Sequence, residues 1–253
     1  MSVLIKNVGL VAAFTAGLLT SKMSAQMAGI RDFHFTSSGH GWLISGDHVL
    51  LTASGGQNWS DSNVPATAYH ADSAFFLDDS QGWVIQHSDS GGIRVAKTTN
   101  AGQTWDSIVI PADAVFRRSF TGGASISFSD SQHGWALLKQ TGSSALSAGK
   151  LFRTNDGGST WIEISAPPVA GRIEFFSQEI GWLSGGAAQT KLFKTTDAGD
   201  HWIQQSVPPA KSAASAISTN YELPAFSDLV AGSVHVEFVN ANRTVTEAAY
   251  STV

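Results

Sequence analysis

The chain predicts an all-β fold: a β-propeller of four complete four-stranded blades and a partial fifth, in an incomplete ring. Three observations carry this expectation. All eight tryptophans fall in one repeated frame, the frame recurs at the period of a propeller blade, and residues within each copy alternate with period two.

The frame has two halves. F-x5-G-W occurs as Phe35 with Gly41-Trp42, Phe76 with Gly82-Trp83, Phe128 with Gly134-Trp135 and Phe175 with Gly181-Trp182. T-x6-W-x5-P follows as Thr52, Trp59 and Pro65; Thr98, Trp105 and Pro111; Thr154, Trp161 and Pro167; and Thr195, Trp202 and Pro208. Successive G-W pairs lie 41, 52 and 47 residues apart, a blade period rather than that of a helical solenoid.

Taken in chain order, Lys6 precedes an apolar run over residues 8–19, and small or polar residues follow through Ala25. This is the layout of a secretory signal peptide over residues 1–25, with an uncleaved N-terminal anchor as the alternative. Either implies export, to the periplasm or the extracellular space. The blades are expected at about 31–65, 72–111, 124–168 and 172–209. In the third, strands are expected over 125–128, 135–139, 151–154 and 161–165; in the fourth, over 173–176, 182–184, 192–195 and 202–205. The proline six residues after each second tryptophan ends the outer strand, because it has no N–H for a ladder.

Between the third and fourth strands, Thr154-Asn155-Asp156-Gly157-Gly158-Ser159-Thr160-Trp161 places a carboxylate where it accepts from the turn's own amides, with glycines free to take positive φ. Thr195, Asp197, Gly199 and Trp202 repeat the turn. Thr98, Asn100, Gly102 and Trp105 substitute Asn, and Thr52, Ser54, Gly56 and Trp59 substitute Ser. All are expected to be structural. Asp78, Asp130 and Asp228 each follow a Phe by two residues and read as turn formers too.

A partial fifth blade is expected over residues 223–253. Phe226 and Gly232 restart the frame with Ser233 in place of Trp, and Tyr250-Ser251-Thr252-Val253 aligns with Phe152-Arg153-Thr154-Asn155. The sequence therefore stops one residue before a fifth box aspartate would stand, which points to a truncated product or a gene fragment. An unpaired edge left in this way would favour self-association.

The boxed turns resemble the Asp-box, or BNR repeat, of sialidase-like propellers. Joined to Phe128-Ser129-Asp130-Ser131-Gln132-His133-Gly134-Trp135, the pair most resembles the propeller family of the photosystem II assembly and stability factor, over residues 30–253. The resemblance implies a non-catalytic scaffold for a protein or glycan partner. Within that family the photosystem role goes with a basic patch, which the scattered Lys and Arg here do not recreate.

Composition bounds the function. A formal charge of −5 with 14% charged residues supplies no basic field for nucleic acid, and no cysteine is present for a disulfide or thiolate metal site. Eight histidines lack metal-ligand spacing, and His40 and His133 simply precede G-W. No metal and no cofactor are expected. Length varies only on the face opposite the boxes, in 88–93, 112–123, 141–149 and 210–223, so a recognition surface is expected there. Phe116, Arg117 and Arg118 break the repeat within one of these insertions and are the candidate partner-binding residues.

The competing reading is a sialidase-like or xyloglucanase-like glycoside hydrolase. It would need an arginine triad and a nucleophile, or two separated acids. Arg31, Arg94 and Arg172 do not form a legible triad, Tyr69, Tyr221 and Tyr250 are the only tyrosines, and only Asp113 stands out among non-repeat aspartates. No catalytic residue is assigned. A gene fragment without a ligand is the third reading. Nucleotide sequence beyond codon 253 is expected to encode Asp-Gly-Gly-x-Thr-Trp in some frame, and its absence there refutes truncation.

Overall fold

The computed structural model describes residues 29–120, 122–140, 148–186, 189–207, 216–226, 232–241 and 245–252. Residues 1–28 lie outside them, so the expected signal segment has no structural counterpart here.

Four antiparallel four-stranded sheets form four propeller blades, each running in strict chain order from its first strand to its fourth. Blade 1 holds β1 (Ile30–Phe35), β2 (Gly41–Ser45), β3 (His48–Thr52) and β4 (Ser60–Asp61); blade 2 holds β5 (His70–Phe76), β6 (Gly82–His87), β7 (Ile93–Thr98) and β8 (Asp106–Val109). The helix α1 (Ala114–Ser119) follows. Blade 3 holds β9 (Ala124–Phe128), β10 (Gly134–Lys139), β11 (Gly149–Thr154) and β12 (Ile162–Glu163); blade 4 holds β13 (Gly171–Phe175), β14 (Gly181–Gly185), β15 (Lys191–Thr195) and β16 (Ile203–Gln205).

Burial follows position in the blade. The second strand is buried almost throughout because neighbours cover both its faces: every residue of β6 but the last is buried, and likewise in β10. The fourth strands face solvent and are short, β12 spanning two residues where the sequence suggested five.

A fifth sheet follows with β17 (Ala216–Tyr221), β18 (Ala225–Phe226), β19 (Gly232–Asn240) and β20 (Val245–Thr252). Here β17 and β18 pair successive stretches of β19, from Asn240 to Val236 and then at Ser233 and Gly232, so together they act as one interrupted first strand. Phe226 pairs Gly232 and Gly232 pairs Thr252, as Phe128 pairs Gly134 and Gly134 pairs Thr154 in blade 3. The frame alignment of this segment is thus its hydrogen-bond register. The strand β17 lies in a stretch the sequence suggested was a loop.

The Phe of each frame is the hub of packing between blades. Phe128 stacks on Trp83 of the preceding blade at 3.7 Å and 11°, and meets its own blade's Trp161 edge-on at 88°. Phe175 does the same with Trp135, at 3.7 Å and 1°, and with Trp202 at 78°. Each such pair contributes about 0.5–1.5 kcal/mol beyond its buried area. The stacked indoles also donate across the junction, Trp83 Nε1 to Gly157 O at 3.0 Å and Trp135 Nε1 to Ala198 O at 2.8 Å.

The invariant glycine before each of these tryptophans makes room for the Phe ring: a Cβ on Gly134 would stand 2.4 Å from Phe128, and one on Gly181 2.5 Å from Phe175. Phe35, in the first blade, is 40% exposed, whereas Phe76, Phe128 and Phe175 are 6%, 2% and 4% exposed. The difference is the preceding blade, which Phe35 lacks among the described residues.

First strands are tied side by side. Ser73 Oγ accepts from Ile126 N at 3.2 Å, Ser125 Oγ from Ile173 N at 3.0 Å and Ser127 Oγ from Phe175 N at 2.9 Å. Arg172 of β13 pairs with Asp32 of β1 at 2.7 Å, so the inner strands of blades 4 and 1 meet.

Replacing Gly134 by Ala forces Phe128 off Trp83 and is expected to cost about 1–3 kcal/mol, as overpacking does. Thermal melting checks it; an unchanged Tm would show the ring is not held by this fit.

Candidate functional site

The box residues lie on one face. Each box threonine is buried, accepts from the glycine four residues on, and donates to the box side chain where that is Asp or Asn. Gly158 N donates to Thr154 Oγ1 at 2.9 Å, which donates to Asp156 Oδ1 at 2.8 Å; Gly199, Thr195 and Asp197 match at 3.0 and 2.8 Å, and Gly102, Thr98 and Asn100 at 2.9 and 3.0 Å. In blade 1, Gly56 N donates to Thr52 Oγ1 at 3.0 Å and Asn58 N to Ser54 Oγ at 2.9 Å. The residue before each box glycine also has positive φ, including Ala101 at 55° and Ala198 at 60°, a conformation these bonds hold in place.

The acids are therefore occupied by their own turns. Burial raises the carboxyl of Asp156, but the hydroxyl and N–H of Thr160 and the Thr154 hydroxyl outweigh it and hold the pKa at about 2. For Asp197 the His201 N–H is the leading cause of a pKa of about 2. Asp130 in the first turn of blade 3 is also at about 2: burial raises it, and the N–H groups of Gln132 and His133 prevail. Asp78 accepts from Ser80 N and Gln81 N in the same manner, and Asp228 lies outside the described residues.

The opposite face carries the variable connections. Within the insertion at 112–123 lies α1, capped by Asp113, whose Oδ1 accepts from Val115 N and Phe116 N at 2.9 Å. Asp113 also pairs with Lys150 at 3.1 Å. Phe116 is 3% exposed and packs in the core between blades 2 and 3, so it anchors the helix instead of meeting a partner. An apolar ring in a one-sided helix goes to the core. Arg117 is half-buried and Arg118 is exposed.

Beside α1 the strand ends of blades 1 and 2 gather a group that sequence reasoning passed over. Asp72, with a side chain 3% exposed, meets His87 at 2.7 Å; His70 meets Asp47 at 3.0 Å and Asp89 at 3.4 Å. Burial raises the Asp72 carboxyl above its ordinary range, opposed by His87, the Gly123 N–H and Arg31. The hydrogen bond that His70 donates to the Asp47 carboxylate raises its imidazole. Their signal in the sequence was weak, because Asp72 and His87 sit at strand ends where polar residues are ordinary.

On β13 of blade 4, burial alone pushes the Glu174 carboxyl up to about 7. A carboxylic acid poised near neutrality can give or take a proton. Its place beside Trp182, across the β13–β14 pair, reads in the sequence as an outward polar position. In the structure it is half-buried. The three arginines weighed for a triad each have separate partners: Arg31 bonds the carbonyls of Gly46 and Ala71, Arg94 lies 3.6 Å over Tyr69, and Arg172 pairs with Asp32. Among the described residues no group of acids and histidines could hold a metal ion.

No protein-family model matches the chain, and no curated protein matches it. Solved structures do. The GH74 xyloglucanase from Xanthomonas campestris is similar with a TM-score of 0.54 at 15% identity, over 87% of this chain and 35% of that one. Polysaccharide lyase Uly1 is similar with a TM-score of 0.55 at 11% identity, over 90% and 60%. The NanB sialidase from Streptococcus pneumoniae reaches 0.48 at 13% identity, over 84% and 36%. The first two show a shared propeller fold and nothing finer. The chain spans about a third of the xyloglucanase.

Native Glu174 holds its proton up to about 7 against an ordinary 4.5, so its contribution is present below pH 4.5 and lost as pH rises through 7. Glu174→Gln is expected to raise Tm at pH 8 and leave it unchanged at pH 4, for a difference of up to about 3 kcal/mol. Melting curves across that range check it.

Proposed function

We propose that the chain is an exported, non-catalytic propeller scaffold whose variable-loop face binds a protein or glycan partner, as its resemblance to photosystem II assembly factor-like propellers implies. The observation that carries this reading is the division between faces. One face spends its acids on its own turns, while the other presents α1, held by a buried Phe116 and a capped first turn, with Arg118 exposed and Arg117 half-exposed beside the His70 and Asp72 group. A rigid scaffold under irregular connections suits recognition. Export rests on the apolar run after Lys6, in residues outside those described. Among the described residues no helix is long and apolar enough to cross a membrane, which says nothing of a β-barrel.

A glycoside hydrolase is the second reading, and Glu174 favours it: an acid with a pKa of about 7 on a first strand suits a general acid. Fold likeness to a xyloglucanase adds only analogy.

The two readings separate on purified protein. Glycan-array binding weakened at least about tenfold by Arg117→Glu with Arg118→Glu, at unchanged Tm, supports the scaffold. Turnover of a fluorogenic sialoside or xyloglucan that Glu174→Gln abolishes would replace it with the hydrolase.

A further inference from the structure

The junction between blades 1 and 2 departs from the other two. Trp42 and Phe76 stand 6.5 Å apart at 35°, where Trp83 and Phe128, and Trp135 and Phe175, stack at 3.7 Å. By the register of the frame the Trp42 indole should donate to Ala101 O, as Trp83 does to Gly157 and Trp135 to Ala198. That bond is not formed, and Trp42 Nε1 is buried with no hydrogen-bond partner in the protein. A cavity of about 370 Å³ opens on the box face, with Trp42 and Ala101 both in its wall.

A single sequence position accounts for the opening. Ten residues after each box threonine, blades 2 and 3 place Ile108 and Ile164, which pack against the cores at their junctions. Blade 1 places Ser62 there. The smaller side chain leaves the volume unfilled and adds a second buried polar atom: Ser62 is 3% exposed and its Oγ also has no partner in the protein. Leaving such a group unsatisfied is costly. Two residues with unpaired polar groups, a donor and a hydroxyl, thus line one cavity whose volume lies in the range of small-molecule sites.

The wall defines the ligand. Phe76, Leu51 and the Trp42 ring supply apolar surface, and the indole N–H requires an acceptor. Asp79, paired with His40 across the junction at 3.0 Å, joins Asp61 and Asp78 in the wall and opposes an anion. An uncharged molecule with hydroxyls around an apolar ring face meets all three conditions. We propose that this cleft is a binding site for a neutral pyranose unit, one ring oxygen or hydroxyl accepting from Trp42 Nε1 and one hydroxyl bonding Ser62 Oγ. It lies on the face opposite the proposed recognition surface and does not depend on that reading.

Indole N–H resonances of the nitrogen-15-labelled full chain test it, titrated with the methyl glycosides of glucose, galactose and mannose, with sialic acid and glucosamine as charged controls. The Trp42 signal, assigned by its loss in Trp42→Phe, is expected to shift saturably with at least one methyl glycoside while those of Trp83 and Trp135 stay. Trp42→Phe keeps the ring without the donor, and saturation-transfer titration is expected to show affinity about tenfold lower at unchanged Tm. Ser62→Ile refills the cleft as blades 2 and 3 do; it is expected to raise Tm and abolish the shift. No shift with any methyl glycoside, the same shift in Ser62→Ile, or tighter binding of sialic acid or glucosamine each overturns the proposal.

Discussion

The fold depends on an aromatic contact between consecutive blades. A Phe at the end of each first strand lies over the glycine that opens the second, and its free side receives the indole of the preceding blade. That geometry explains the fixed spacing of the frame. The glycine must be where the ring crosses, the indole must follow it directly to point outward from the opposite face, and the residue before the box glycine must offer its carbonyl to the indole N–H. Loss of any member exposes a large ring or leaves a buried donor unpaired, either of which is costly.

Two departures in the array follow from the same constraint. Where both neighbours are present, as at Phe128 and Phe175, the stack closes to 3.7 Å. At Phe35 it has no counterpart among the described residues and the ring is partly exposed. Between blades 1 and 2, one serine in an isoleucine's place loosens the contact and leaves a cleft. A repeat array is a sum of junctions, so a local substitution changes one of them and leaves the others intact.

The box turns and the loop face divide the polar chemistry. Thr-to-Asp hydrogen bonds consume the acids of the turns and pull Asp156 and Asp197 to a pKa of about 2. Groups with displaced titration toward neutrality arise elsewhere: His70 and Asp72 where strand ends of two blades converge, and Glu174 on the first strand of blade 4. Displacement of this kind requires burial or a charged neighbour, and for His70 that neighbour, Asp47, comes from the preceding blade.

Local periodicity determined the blades, the turn geometry and even the register of the fifth sheet, because those features arise within about 40 residues of chain and repeat. Sequence also placed Phe116 to Arg118 in an irregular insertion, but not the burial of Phe116, which depends on the core of the next blade. The pairing of His70 with Asp47 of the preceding blade, the raised carboxyl of Glu174 and the open junction at Trp42 were decided by tertiary structure alone. A strand position that points away from its own sheet looks solvent-facing in the sequence, and only the neighbouring blade determines whether water or protein meets it.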